Sequence, residues 1–212
     1  MNATDTTADT ATTARRSGLR GAARLALAGV LAWPLIVFAL HVVQVGHYDP
    51  QRQAISELAR GRGGALMAVA FVAFGVGTAA FGVGLHGATR ARVAPVLLCL
   101  AGVADVVSAV FRADVGTTHT LGGHIHEVTG MVTFALIVAA MVATVRPLNR
   151  LPGAAVLARA TAVWVAGPVT TFFLIPILGD DRFGIAQRVF IATWLSWLVT
   201  GAVMLNRRAA RR

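Results

Sequence analysis

Residues 64–86 read GALMAVAFVAFGVGTAAFGVGLH, a run without an acid, a lysine or an arginine. A helix rises about 1.5 Å per residue, so about 20 apolar residues cross a hydrocarbon layer roughly 30 Å thick. This run is long enough. Working outward from it finds five more, at about Ala22–Gln44, Val93–Phe111, Glu127–Val145, Ala154–Leu178 and Val189–Asn206. Backbone amides inside a bilayer have no water to bond, so each run is predicted to be a helix that satisfies its own hydrogen bonds. Only 13% of the 212 residues are charged and 56% are hydrophobic, with mean hydropathy +0.69. A soluble domain carries about twice that share of charge. The fold class expected is all-α: a polytopic membrane protein, one six-transmembrane-helix bundle with no soluble domain.

The glycines of the quoted run, Gly75, Gly77, Gly82 and Gly84, lie among small alanines. That composition lets helix backbones approach closely. No strand precedes the GVG repeats, so a phosphate-cradling loop is not expected there. Gly167-Pro168 and Pro176 predict bends in the fifth helix.

Arginine sets the expected orientation. The chain has 19 arginines, no lysine and 9 acids, for a net charge of +10. With six spans both termini share a side, and 13 arginines fall on that side against 6 on the other. The positive-inside rule then puts the termini in the cytoplasm. The expected organisation is a disordered cytoplasmic tail over 1–21, a membrane domain over 22–206 and a basic cytoplasmic tail over 207–212. The first apolar run is too long for a signal-peptide core and lacks a small-residue cleavage site before Val45, so it reads as an uncleaved anchor. Cys99 is the lone cysteine and cannot form an internal disulfide. Membrane lipids are the expected partners through their anionic headgroups, and nucleic acid is not; no protein partner is indicated.

Acids and histidines gather on the opposite side. Asp49, Glu57, Asp114, Glu127, Asp180 and Asp181 fall in or beside the three loops there, and so do His41, His47, His119, His124 and His126. Asp105 is the exception, about two turns inside the third apolar run. An unpaired acid at membrane depth costs about 2.5–3.5 kcal/mol on insertion scales, which makes it a functional candidate. Asp105, Ser108 and Arg112 share a helical face by spacing. A structural hydrogen bond to a neighbouring helix is the plainer account of Asp105.

Loop 3 supplies Asp114, His119, His124, His126 and Glu127. Imidazole and carboxylate are ordinary ligands of zinc and similar divalent ions. His124 and His126 on an extended stretch would send both rings to one side. With His119 and Asp114 they form the expected metal set, and Glu57 or Asp105 would be the general base. No HExxH or CxxC spacing supports this, and solvated loop histidines or a proton relay fit the same residues. In loop 1, Ser56 and Glu57 line a polar cavity or belong to an amphipathic loop closed by Arg52 and Glu57. Arg188, at the mouth of helix 6, is expected to meet an acid or an anionic headgroup. His41 joins the site or caps helix 1.

YDPQRQAISELARG after helix 1, FRAD followed by GHIHEVTG across loop 3, and GIAQR opening helix 6 together resemble the bacterial membrane family named domain of unknown function 998. The resemblance spans about residues 22–206. It implies a multi-helix bundle in a bacterial cytoplasmic membrane, draws attention to Ser56, Glu57, Asp114, His126 and Arg188, and supplies no activity. A looser similarity is to membrane-embedded metal hydrolases of the alkaline ceramidase and adiponectin-receptor type. Those have seven spans and a terminal HxxxH pair, which this chain lacks.

Two functions are carried forward. One is metal-assisted hydrolysis of a lipid or amphiphile at the outward site. The other is a non-catalytic transporter or pH/lipid sensor in which Asp105 carries a proton. A packing partner for another membrane protein is a third, and it predicts an outer cluster tolerant of substitution.

Overall fold

The computed structural model describes residues 3–116 and 118–211, with side chains over 16–116 and 118–210. Among the described residues six helices are long and apolar enough to cross a membrane. They are α1 (Ala3–Val43), α2 (Ala65–Thr89), α3 (Val93–Val110), α4 (Leu121–Asn149), α5 (Ala155–Leu178) and α6 (Phe183–Arg211). Two short 3-10 helices, Ile55–Arg60 and Asp180–Arg182, sit in the loops after α1 and α5. There is no strand among the described residues.

Each helix packs against the next, and α6 returns to α1, so the bundle is a closed ring. Helices α2 and α6 also touch across it. The reason α2 can be central lies in its glycines. A methyl placed on Gly102 would come 2.3 Å from the Gly75 carbonyl, and one on Gly29 would come 2.3 Å from the Ala73 carbonyl. Helix α2 therefore touches α3 and α1 backbone to backbone, the contact that small residues permit. Helix α5 is the least buried, with Phe172 and Phe173 exposed along the cavity lining. Near the termini Trp197 is buried against the Phe81 ring and donates to Thr161 Oγ1 at 3.0 Å.

Three expectations need correction. Helix α1 extends back to Ala3, so the backbone of most of the segment expected to be an unstructured tail is helical; residues 1 and 2 lie outside the described residues. A span anchored in apolar packing propagates cheaply once nucleated, and here it runs through a stretch where Thr and Asp, weak helix formers, outnumber Ala. Helix α6 likewise takes in most of the expected basic tail, with Arg212 outside the described residues. Helix α4 starts at Leu121, six residues before Glu127. Thr120 caps it: its Oγ1 accepts the Gly123 amide at 3.0 Å.

Candidate functional site

The loops after α1, α3 and α5 converge at one end of the bundle, and hydrogen bonds lock them. The Ile185 amide donates to the Gln51 carbonyl at 3.2 Å, and the Ile55 amide to Gln187 Oε1 at 2.9 Å. Arg188 reaches further. Its Nη1 donates to the carbonyls of Gly184 at 2.7 Å and Gln53 at 3.1 Å. Its Nη2 donates to His41 Nε2 at 3.0 Å and to the Tyr48 hydroxyl. His41 Nδ1 in turn donates to the Val37 carbonyl at 2.7 Å, which leaves Nε2 as the acceptor. The expected acid or headgroup partner of Arg188 is thus replaced by neutral acceptors.

Glu57 and Asp114 are also spent on the frame. Glu57 Oε1 accepts the Ala54 amide at 2.9 Å and Oε2 accepts Gln53 Nε2 at 2.9 Å, closing the start of the 3-10 helix. Arg52 instead pairs with Asp181 at 3.0 Å, an exposed contact of little energetic weight. Asp114 Oδ2 accepts the Thr120 amide at 2.7 Å, and Oδ1 accepts the Thr120 hydroxyl at 2.9 Å and Arg60 Nη2 at 3.3 Å. The Thr120 amide most of all, with its hydroxyl, Arg60 and His119, holds the Asp114 carboxyl below the usual carboxylate range.

Beneath this frame lies a cavity of about 1000 Å³, at the upper end of small-molecule sites. Its deep wall is a chain of aromatic rings. Trp33, Phe74, Trp194, Phe134 and Phe190 follow one another with centroids 5.0–6.0 Å apart. Toward the loops the lining turns polar, through Ser56, Thr118, His119, His124 and Glu127. Asp105 and Ser108 line it from α3. Asp105 is only 5% exposed, and its Oδ2 has no hydrogen-bond partner; neither does Trp194 Nε1. Ser108 Oγ bonds Thr129 Oγ1 at 2.7 Å.

Histidines and acids meet here without forming a metal centre. Among the described residues no group of three or more His, Cys, Asp or Glu is placed to hold an ion. The expected ligand set of His119, His124, His126 and Asp114 assumed a loop, but His124 and His126 sit in the first turns of α4. Two residues apart on a helix means about 200° apart, so their rings diverge. His126 is buried, its Nδ1 donating to the carbonyls of Phe111 at 2.8 Å and Ser108 at 3.1 Å. His124 and His119 are exposed. Arg112 leaves the Asp105 face because α3 ends at Val110 and Phe111 is extended, which breaks the helical phase.

The family model described as Protein of unknown function (DUF998) matches residues 26–204. The chain belongs to this family. Comparison with curated proteins and with solved structures finds no match. In this DUF998 member the three sequence signatures are brought into contact. GIAQR is pinned to YDPQRQAISELARG through Gln187 and Arg188, and Arg60 of the same segment donates to the Ala113 carbonyl in FRAD at 2.7 Å. Gly184 and Gly123 fit for steric reasons. A methyl on Gly184 would come 2.5 Å from the Pro50 carbonyl, and one on Gly123 1.9 Å from Asp114 Oδ2. Of the five residues singled out by resemblance, Glu57 and Arg188 hold the frame outside the cavity, while Asp114 and His126 hold it at the cavity edge. Ser56 lines the cavity.

Sequence reading missed the aromatic wall. Phe183, Gln187, Phe190, Ile191 and Trp194 follow i, i+4, i+7, i+8, i+11 spacing, so one face of α6 supplies much of the lining. Most neighbouring positions of α6 are apolar as well, so that periodicity carries little contrast to mark it.

Proposed function

We propose that this protein binds a single amphiphile in the cavity, its apolar part on the aromatic wall and its polar end toward the loops. The observation that carries the reading is a cavity of about 1000 Å³ graded from aromatic to polar within one six-helix ring. The polar end of the lining lies on the side opposite the arginine-rich termini, which the positive-inside rule puts outside the cytoplasmic membrane of a bacterium. Zinc-assisted hydrolysis loses its ligand set to helix α4 and is not carried further.

Tryptophan fluorescence tests the proposal, since Trp33 and Trp194 face the cavity. A brominated-chain amphiphile should quench them saturably in the purified chain reconstituted in nanodiscs. Gly130 lines the cavity, and a methyl there meets nothing within 4 Å. Gly130→Leu should keep the fold and lower the affinity at least tenfold; unchanged saturable quenching in that variant refutes the site.

A second reading has the protein move its ligand, with Asp105 carrying a proton. The unpartnered Asp105 Oδ2 favours it. Asp105→Asn then abolishes pH-driven uptake into proteoliposomes but leaves quenching by an uncharged amphiphile intact.

A further inference from the structure

The cavity's lining differs in its charged residue types from the chain as a whole. The protein carries 19 arginines, yet no arginine is among the described residues that line the cavity. Its lining acids are Asp105 deep in the bundle, with Asp114 and Glu127 nearer the loops, where His119, His124 and His126 also line it. Asp114 is already answered by Arg60 and Thr120. Asp105 is not answered: its Oδ2 is buried without a hydrogen-bond partner, and the residue lines the same cavity as the aromatic wall.

We infer that the ligand is a lipophilic organic ammonium, a cationic head on an apolar body, held through Asp105 and the rings of Trp194 and Phe74. The inference rests on the amphiphile-binding reading and names the ligand's chemistry. Three physical arguments support it. A cation supplies the charge that a carboxyl at this depth otherwise lacks. Aromatic faces attract an organic cation electrostatically, more strongly once water is excluded. An anionic head would need Arg or Lys in the lining, because those side chains recognise carboxylate and phosphate. Without them an anionic head at depth meets Asp105, with histidines only toward the loops, and an acid there disfavours the wrong ligand. The same argument disfavours a phospholipid amine, whose phosphate would enter unanswered.

The test uses the full chain in nanodiscs of an uncharged glycolipid and four probes. Dodecyltrimethylammonium, dodecyl maltoside and dodecyl sulfate share one chain length and differ in head charge; phosphatidylethanolamine adds a phosphate to an amine. Binding is read by displacement of the brominated amphiphile, corrected for partition into empty discs. The cation should bind at least tenfold tighter than either dodecyl sulfate or phosphatidylethanolamine. Asp105→Asn should reduce its affinity at least tenfold and leave dodecyl maltoside unchanged, a comparison that also reports that the variant is folded. If the Asn variant does not fold, the wild-type charge series decides alone. Equal binding of the cation and the sulfate, or of the cation and phosphatidylethanolamine, overturns the inference, and so does unchanged cation binding in the Asn variant. Dodecyl maltoside binding without a charge preference sinks this inference and leaves the amphiphile reading standing. No binding by any probe removes both.

Discussion

Arg188 Nη2 donates to His41 Nε2 at 3.0 Å, joining the loop-side ends of α6 and α1 across 147 residues of chain. The same guanidinium holds Tyr48 and two carbonyls, so one side chain sets the height of loop 1 over the cavity.

Removing it should be costly. Arg188→Ala strands several acceptors, and the scale of a charge-assisted hydrogen bond puts the loss at about 1.5–3 kcal/mol. Arg188→Lys should recover little, because one ammonium cannot reproduce the planar fork. Thermal unfolding of the purified variants in detergent reads both; full recovery by Lys would contradict the geometry.

His126 separates the structural from the metal account of loop 3. Its ring answers the carbonyls left open where α3 ends. His126→Ala should destabilise by about 1–3 kcal/mol, the usual cost of stranding a buried polar group, while His124→Ala, on an exposed position, should change little. Added zinc or a chelator should leave the unfolding midpoint of the wild-type chain where it was. A midpoint that falls with chelator and returns with zinc would restore the metal reading.

Two glycines should behave oppositely. Gly102→Ala drives a methyl to 2.3 Å from the Gly75 carbonyl, where neither backbone can yield without separating α2 from α3. Overpacking of that kind costs about 1–3 kcal/mol. Gly130→Ala has open space and should be neutral or slightly stabilising. Equal midpoints for the two variants would contradict the helix spacing described.

Asp114 gives a pH signature. Its carboxyl is held below the ordinary value by the Thr120 amide first, then the Thr120 hydroxyl, Arg60 and His119. A folded value below the unfolded one means that the stabilisation is complete above the usual Asp value, about 3.9. It is lost as pH falls below that value through the lower folded one. The wild-type midpoint should therefore drop on acidification below about pH 4, and Asp114→Asn should show a flatter acid limb. Parallel acid limbs would remove Asp114 from the cause.

The family signatures were legible as text, and their roles were not. Glu57 and Asp114 carry charge in loops and Arg188 in the first turns of α6, beside those loops, which is also the pattern of a reactive site. Both kinds of residue look alike until it is known whether their polar atoms face a neighbour or a space. Asp105 differed because its depth alone made it unusual, and the cavity gives that depth a setting.

Sequence alone determined the number of spans, the grouping of loops 1, 3 and 5 at one end, and the burial of Asp105. Those follow from hydropathy and alternation, which the bilayer enforces locally, one helix at a time. Tertiary structure decided the start of α4, the divergence of His124 from His126, the aromatic wall and the absence of arginine from the described lining. Each depends on which faces of different helices meet, and in helices apolar on every side no local pattern records that choice. Packing of glycines such as Gly75 on Gly102 makes it, by allowing some backbones to touch while others stand apart around a cavity.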